Sequence, residues 1–434
     1  VGTEAGVGVH SAGSIGASAG ELVITANGRL ENTGSLTSTG ATQIDGSACI
    51  QNSGTIHAQG NTTLNTAGTI DNAATAKISG TTTRITAYTL NNRGLIDGLA
   101  TVIEIPSVNN LGTGKIYGDR VAINTTTLRN EAEAGAAPVI AARERLDIGA
   151  QTITNREHAV LFSAGDLALG GSLDANQHAT GRVDTLHNAS ATIEALGNVN
   201  IQARQINNTN EHFSTIDVAL PAQDIVEYQG SGAATRFVAG GPGMGWTTQD
   251  HATYLVTPDG TYVDWTEYRF TRTPIQTQVA STDPAKIRSG GDMHLSADGL
   301  VNDKSHIIAG GAISGSLVTS SNTEPSGKTT FTDSGTATSA TRGEYCASSI
   351  NLGLSSYCTD YDFNTSYNPS PYAAHDSVDL PKPVPYGSGT LIDPLSTSSL
   401  FSPVPTGHYL LETDPRFANY RTWLSSDTML SALG

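Results

Sequence analysis

The chain has 434 residues with 40 acidic and 23 basic side chains, and its net charge of −17 argues against nucleic acid, whose phosphates need basic patches. Hydrophobic residues make up only 37%, which suits a narrow core better than a broad one. No run of about 18 apolar residues occurs, so no helix is expected to cross a membrane. No secretory leader is read at the start, and the opening residues already follow a repeat, so the chain is expected to be a piece of something longer.

Residues 1–210 repeat themselves. LENTGSLTSTG at Leu30–Gly40 is followed by IQNSGTIHAQG at Ile50–Gly60. An Asn with an aliphatic residue two places before it recurs at Asn32, Asn52, Asn72, Asn92, Asn110, Asn130, Asn155, Asn188, Asn208 and Asn302. The steps are 20, 20, 20, 18, 20, 25, 33, 20 and 94, and a fixed period near 20 marks a solenoid. Each unit holds three aliphatic anchors: Ile44, Ile50 and Ile56, then Leu64, Ile70 and Ile78, then Ile85, Leu90 and Ile96. Apolar stretches this short, punctuated by Gly, Asn and Thr, cannot be helices. They predict the coils of an all-β, right-handed parallel β-helix, with like residues stacked about 4.8 Å apart. An irregular β-sandwich is the competing reading.

The recurrent Asn suits a corner, where it tolerates unusual φ/ψ and bonds its own backbone. Stacked amides can also bond one another, as a ladder through Asn32, Asn52, Asn72, Asn92, Asn110 and Asn130. Roughly eleven or twelve coils would extend about 50–60 Å.

The composition then changes. Of 14 Tyr, 8 Phe and 3 Trp, only Tyr88, Tyr117 and Phe162 precede residue 211, and of 17 Pro only Pro106 and Pro138 do. Central strands exclude proline, so something other than plain solenoid occupies much of the second half. Residues 211–286 read as an excursion of extended strands, with YLVTPDGTYVDW forming a hairpin about Pro258-Asp259-Gly260. Residues 287–315 resume the coil pattern through Ile287, Leu295, Leu300, Asn302 and Ile307. Residues 316–406 are non-repeat: a polar Ser/Thr/Gly stretch, read as a loop or extended hairpin, then a Pro- and Tyr-rich one with little regular structure. Residues 407–434 carry a helix signal, with Ser425 or Ser426 capping a short helix through Leu430 and Gly434 at its end.

IRSGGDMHLSADGLVNDKSHIIAGG resembles the haemagglutinin repeat of the filamentous haemagglutinin family. GHYLLETDPRFANYRTWLSSDTML resembles a segment of the contact-dependent growth inhibition exoproteins, the CdiA type. The resemblance implies a two-partner-secreted protein displayed as a β-helical stick on a Gram-negative cell, with an outer-membrane transporter as partner of the full-length protein. It also implies a receptor-binding region part way along the stick and a C-terminal toxin. Neither the secretion domain nor the toxin is matched here, so neither activity is expected of these residues. In the family the receptor-binding region follows the repeat, which makes 316–406 the first candidate and 211–286 the second. The expected partner is an outer-membrane protein or a lipopolysaccharide or other glycan on a target bacterium.

Enzymatic β-helices need acids on neighbouring coils. The position after the anchor at 44 reads Asp45, Asn65, Thr86, Pro106 and Asn124, which is no acid column, so no catalytic residue, metal or cofactor is expected. His158, His178 and His187 are the densest of 11 scattered histidines and lack metal-ligand spacing. GGPGMG at 240–245 lacks the Lys-Ser/Thr and helix of a phosphate loop and reads as a hairpin tip. Arg269 and Arg272 in RFTRT come nearest to a basic patch, with alternating strand charges the simpler account. Asp360 and Asp362 in CTDYDF are read as a solvated loop before a cation site.

Cys346 and Cys358 stand 12 apart, and a disulfide is expected in an oxidising exterior. Cys49 aligns with Arg29, Thr69 and Thr89 in an outward column and should be free. Around the cysteine pair, Tyr345, Tyr357, Tyr361, Phe363, Tyr367 and Tyr372 fall within 28 positions. Such large, low-entropy side chains among Ser, Thr, Asn and Gly are expected to form the receptor surface. Two alternatives stay open: these residues pack down as a cover, or the chain is a structural spacer of the stick.

Overall fold

A computed structural model describes residues 7–249, 252–347, 357–366, 370–380, 401–403, 409–412 and 422–424. The chain divides into two compact units, Val1–Ser214 with Ser281–Glu324 and Gly389–Gly434, and Thr215–Ala280 with Pro325–Ser388. Every regular element among the described residues is a strand.

The first unit is a parallel β-solenoid. In one coil Thr62–Thr66, Thr69–Asn72 and Lys77–Ser79 lie in parallel register under Thr82–Thr86, Thr89–Asn92 and Leu95–Asp97 of the next. Alternate side chains point inward, as the pleat requires, and they stack into three aliphatic columns. One runs Ile44, Leu64, Ile85, Ile103, Ile123 and Ile148, the second Leu30, Ile50, Ile70, Leu90, Val108 and Leu128, the third Leu36, Ile56, Ile78, Ile96, Ile116 and Ile140. All of them are fully buried. Each such side chain contributes about 1.5–3 kcal/mol on leaving water, and stacking like shapes fills the narrow lumen.

A polar column runs beside the second aliphatic one. Eleven asparagines, from Asn32 to Asn208 and then Asn302 and Asn322, are joined by Nδ2 to Oδ1 hydrogen bonds of 2.7–2.9 Å. The second amide proton of each member from Asn52 to Asn208 goes to a backbone carbonyl of the following turn, as Asn72 gives to Leu95 at 3.3 Å and Asn130 to Val160 at 3.1 Å. Unpaired, a buried amide would be costly; paired on every side, it pins the register. At the upper end Ser11 occupies the equivalent position, and the side-chain Oδ1 of Asn32 is left without a donor.

Three expectations need correction. The ladder asparagines do not occupy left-handed corners; the non-glycine residues with positive φ include Glu157, His158, Ser190 and Lys304 instead. Asn is used here for its side chain, at the ends of extended strands. The solenoid also runs past 315, to the strand Leu317–Thr323, where Ser320 takes the place of the aliphatic anchor Leu300 and so hides the repeat. Finally, Glu104 rather than Pro106 follows Thr86 in the outward column, because that coil is two residues short; it pairs with Arg84 at 3.0 Å.

Asx side chains fasten another corner. Asp166 Oδ1 accepts the N–H of Asn198, Asn198 Oδ1 that of Asp292, and Asp292 Oδ1 that of Ala312, each at 2.8 Å. Longer coils eject short loops: the hairpin Ser172–Leu173 with Ala179–Thr180 is held by Asp147, which accepts the N–H of Ala179 at 2.9 Å. Cys49 is free and half-buried between Arg29 and Thr69, and burial pushes its thiol up. After Asn210 the chain departs and returns in register, Asn208 opposite Asn302 and Thr192 opposite Lys286. The helix expected at 425–430 lies outside the described residues.

Candidate functional site

The second unit joins the two segments that the sequence singles out. Trp265–Ser281, the last strand of the excursion, pairs antiparallel with Gly327–Ala347 from Trp265 opposite Ala340 to Gln276 opposite Thr329. Gln223–Gly230 flanks the first of these strands, and Tyr357–Ser366 and Ser370–Leu380 flank the second. Candidates one and two are therefore a single sheet. The polar stretch after 326 is a strand of 21 residues, because Thr at alternate positions favours extended backbone even where little is apolar.

One face of the sheet is clasped by a stacked cation. Arg236 lies 3.7 Å above the centre of the Tyr268 ring and donates from Nη1 to the Tyr372 hydroxyl at 2.6 Å. Tyr372 sits opposite Gly335, with its ring 5.2 Å from Tyr268 and 5.3 Å from Phe270. A Cβ at Gly335 would run into the Arg269 carbonyl and the Cα of Phe270, so only glycine lets the two strands approach this closely here. Beside them Arg272 grips Asp333 through two hydrogen bonds of 2.8 Å, between the rings of Phe270 and Phe331. Arg269 pairs with Glu267 at 3.2 Å. Both arginines of RFTRT are thus engaged in ion pairs, as alternating strand charges imply.

A second aromatic group forms where a small sheet, Gly245–Gln249, Ala252–Thr257 and Gly260–Tyr262, folds over the end of the large one. Pro258-Asp259 makes its hairpin turn, and Gly240 and Gly243 take positive φ in the turn before it. Trp246 meets Trp265 edge-on at 5.0 Å and Tyr228 at 5.0 Å, while Tyr228 meets Trp265 at 5.6 Å. The Tyr228 hydroxyl donates to Glu267 at 2.7 Å, and burial together with that carboxylate pushes it up to about 12. Leu255 and Ala252 are buried beneath, but Trp246 is 48% exposed. An indole held by two aromatic neighbours and half in water offers large contact area with little freedom left to lose.

Of the residues expected at the site, Tyr345, Tyr357, Tyr361 and Phe363 lie in the antiparallel strands Gly327–Ala347 and Tyr357–Ser366. Their register sets Tyr345 opposite Thr359, Ala347 opposite Tyr357, Gly343 opposite Phe363, and Cys346 opposite Cys358. Tyr367 lies outside the described residues. Tyr372 packs within the sheet on Arg236. Sequence reasoning passed over Arg236, Tyr228 and Trp246; the signal present was the aromatic content of the segment ranked second.

Residues 1–34, 37–134, 139–241 and 245–342 match the family model of the haemagglutinin repeat. Over 38 residues the chain is 66% identical to Toxin CdiA of Yersinia pestis, a match covering 9% of this chain and 1% of that protein. The chain thus spans a very small part of the length of that relative. No solved structure matches. A repeat match over more than half the chain, together with the parallel β-solenoid, means that the chain belongs to the filamentous haemagglutinin family of the CdiA type.

Proposed function

We propose that this chain is a receptor-binding adhesin segment of a contact-dependent growth inhibition exoprotein. The solenoid carries the second unit, and the second unit binds an outer-membrane protein or surface glycan on a target bacterium so that a toxin can be delivered. One observation carries this reading: the coils keep their register on both sides of an inserted unit whose aromatic residues include the half-exposed Trp246. A spacer needs no such insertion. We place the protein on the surface of a Gram-negative cell, exported through an outer-membrane transporter, by analogy with its haemagglutinin-repeat and CdiA relatives. It acts by binding and not by catalysis.

The test is binding of the purified chain to intact Gram-negative cells and to cells lacking single surface molecules. Trp246→Ser, and separately Tyr361→Ser with Phe363→Ser and Tyr367→Ser, should weaken binding at least about tenfold, as the loss of an interface anchor does, while the melting temperature holds. Binding to no cell would favour the spacer. Lost stability with binding retained would make these rings part of the fold alone.

A further inference from the structure

Arg236 stands apart from the other arginines. Among the described residues, twelve of them between Arg29 and Arg272 each hold a carboxylate oxygen within 3.3 Å. With 40 acidic side chains against 23 basic ones, such pairing is the expected fate of a guanidinium here. Arg236 has no carboxylate partner among the described residues, yet it is held in place. Its guanidinium carbon lies 3.7 Å from the centre of the Tyr268 ring and 5.0 Å from that of Tyr372, and Nη1 donates to the Tyr372 hydroxyl at 2.6 Å. The platform is itself fixed. The Tyr268 hydroxyl donates to Gln229 Oε1 at 3.0 Å, and the Tyr372 ring packs on Phe270 as well as on Tyr268. Pairing of Phe237 with Tyr228 anchors the backbone that carries the arginine.

We propose that Arg236, on its Tyr268–Tyr372 platform, binds a phosphate monoester through the edge formed by Nε and Nη2. A guanidinium carries five N–H donors in a planar fork that matches phosphate and carboxylate oxygens two at a time. One donor is spent on Tyr372, and the other four find no acceptor among the described residues. No nitrogen of Arg236 is a buried atom without a partner, so the free donors reach water. Stacking has already set the plane of the fork, and little rotamer freedom is left to lose when an anion docks. Glu227 lies opposite Tyr268 in register and so shares this face, but it stays more than 4.0 Å from the guanidinium. An anion in contact with the fork feels Arg236 more strongly than the more distant Glu227, and the surplus grows with the charge of the anion. A phosphate monoester, with about −1.5 to −2 charge and three acceptor oxygens, gains more than a carboxylate does. The phosphate is either borne on a sugar or the free ion. The site rests on the receptor reading only for where that phosphate comes from, since binding itself needs no cell.

Phenylglyoxal, which attacks unpaired guanidinium groups, tests this on the full chain in phosphate-free buffer, with the modified arginines mapped by mass spectrometry. Arg236 should react faster than Arg272, which two hydrogen bonds hold on Asp333. Saturating inorganic phosphate or glucose 6-phosphate should slow Arg236 at least about tenfold and leave Arg272 unchanged, whereas sodium chloride of equal ionic strength should not. Arg236→Lys keeps the charge but loses the fork, and should weaken phosphate binding by calorimetry at least about tenfold. Glu227→Gln removes a like charge and should lower the half-protecting phosphate concentration a few-fold. Stronger protection by glucose 6-phosphate than by inorganic phosphate assigns the sugar-borne source, and equal protection the free ion. Equal protection by chloride, equal protection of Arg236 and Arg272, or unchanged affinity in Glu227→Gln would each overturn the assignment. Glucuronate protecting as well as glucose 6-phosphate would make this a carboxylate site and overturn it too. Where Arg236→Lys fails to fold, the protection of the unaltered chain and the Glu227 variant still decide. Phosphate protection in a chain that binds no cell would leave this site standing while the receptor reading fell.

Discussion

Asn110 sits in the middle of the amide ladder, fully buried. Its Nδ2 donates to Asn130 Oδ1 at 2.8 Å and to the Val139 carbonyl at 3.3 Å, and its Oδ1 accepts from Asn92 at 2.8 Å. Asn110→Ala deletes all three bonds. At about 1 kcal/mol net per bond, the direct loss is about 3 kcal/mol. The stranded proton of Asn92 and the stranded oxygen of Asn130 each add about 1–3 kcal/mol, because neither can reach water. We expect about 5 kcal/mol in all. Asn32→Ala is the control: Asn32 gives bonds to Asn52 at 2.8 Å, Thr55 at 3.2 Å and Gly34 at 3.4 Å, but its Oδ1 accepts none, so no neighbour's proton is stranded and the cost should be lower by about 1–3 kcal/mol. Stacked coils can open locally, so the readout is native-state hydrogen exchange resolved by peptide. Amides of Ser107–Leu111 should exchange more than about a thousandfold faster in the Asn110 variant. Asn110→Asp should be worse still near neutral pH and recover in acid, when the protonated carboxyl can again donate. An Asn110→Ala cost below about 1 kcal/mol, or equal costs at 110 and 32, would mean that these residues merely form turns and that the ladder reasoning is wrong.

Ser11→Asn should extend the ladder upward by giving Asn32 Oδ1 its missing donor, stabilising the first coils by about 1 kcal/mol, read as slower exchange of Arg29–Asn32. Asp283 has its carboxyl raised by burial, with His158 opposing; the folded chain therefore holds this proton more tightly than the unfolded one, favouring folding in acid and opposing it as pH rises through the folded value. Asp283→Asn should accordingly gain in melting temperature near pH 7 and lose that gain toward about pH 4, whereas a constant difference would refute the assignment. Cys346 and Cys358 should be joined as a disulfide worth about 3 kcal/mol, and peptide mapping that finds both alkylated without reductant would exclude it.

The solenoid was readable because one coil is too short to hide its pattern: Ile50, Ile70 and Leu90 recur at one phase, and the Asn two places later recurs with them. The register failed only where a residue type was exchanged or a coil changed length. Ser320 in place of an aliphatic residue concealed the coil of Asn322, and the short coil after Thr86 moved Glu104 to where Pro106 was expected. The second unit was harder for a different reason. Its defining contacts join Trp265–Ser281 to Gly327–Ala347 across an intervening stretch of solenoid, and antiparallel pairing between distant segments leaves no period to find. Aromatic content marked both segments as unusual, but nothing local announced that they pair. Arg236 was invisible for the same cause: its partners Tyr268 and Tyr372 are 32 and 136 residues away.

The way the chain leaves and rejoins the solenoid explains how such an insertion is tolerated. A slip of one residue on return would turn Ile287, Leu295 and Leu300 out of the lumen, so the return point must be fixed as firmly as the coils themselves. Asn210 supplies that fixing. Its Oδ1 accepts the N–H of His212 on the outgoing strand and of Asp283 on the incoming one, both at 3.1 Å, and its Nδ2 donates to Thr282 at 2.8 Å. Ser190, one coil earlier, donates to the Asp283 carbonyl at 2.8 Å and accepts the N–H of Glu211 at 3.0 Å. Ser281 closes the pair by donating to the His212 carbonyl at 2.8 Å. Every one of these bonds is made by residues at the root, and none depends on what lies between 215 and 280. The ladder bond from Asn208 to Asn302 accordingly spans 94 positions with the geometry of a bond spanning 20. Residues beyond the root can therefore change in length or character without shifting a single column of the core, which leaves the inserted unit free to vary its surface while the solenoid that carries it stays the same.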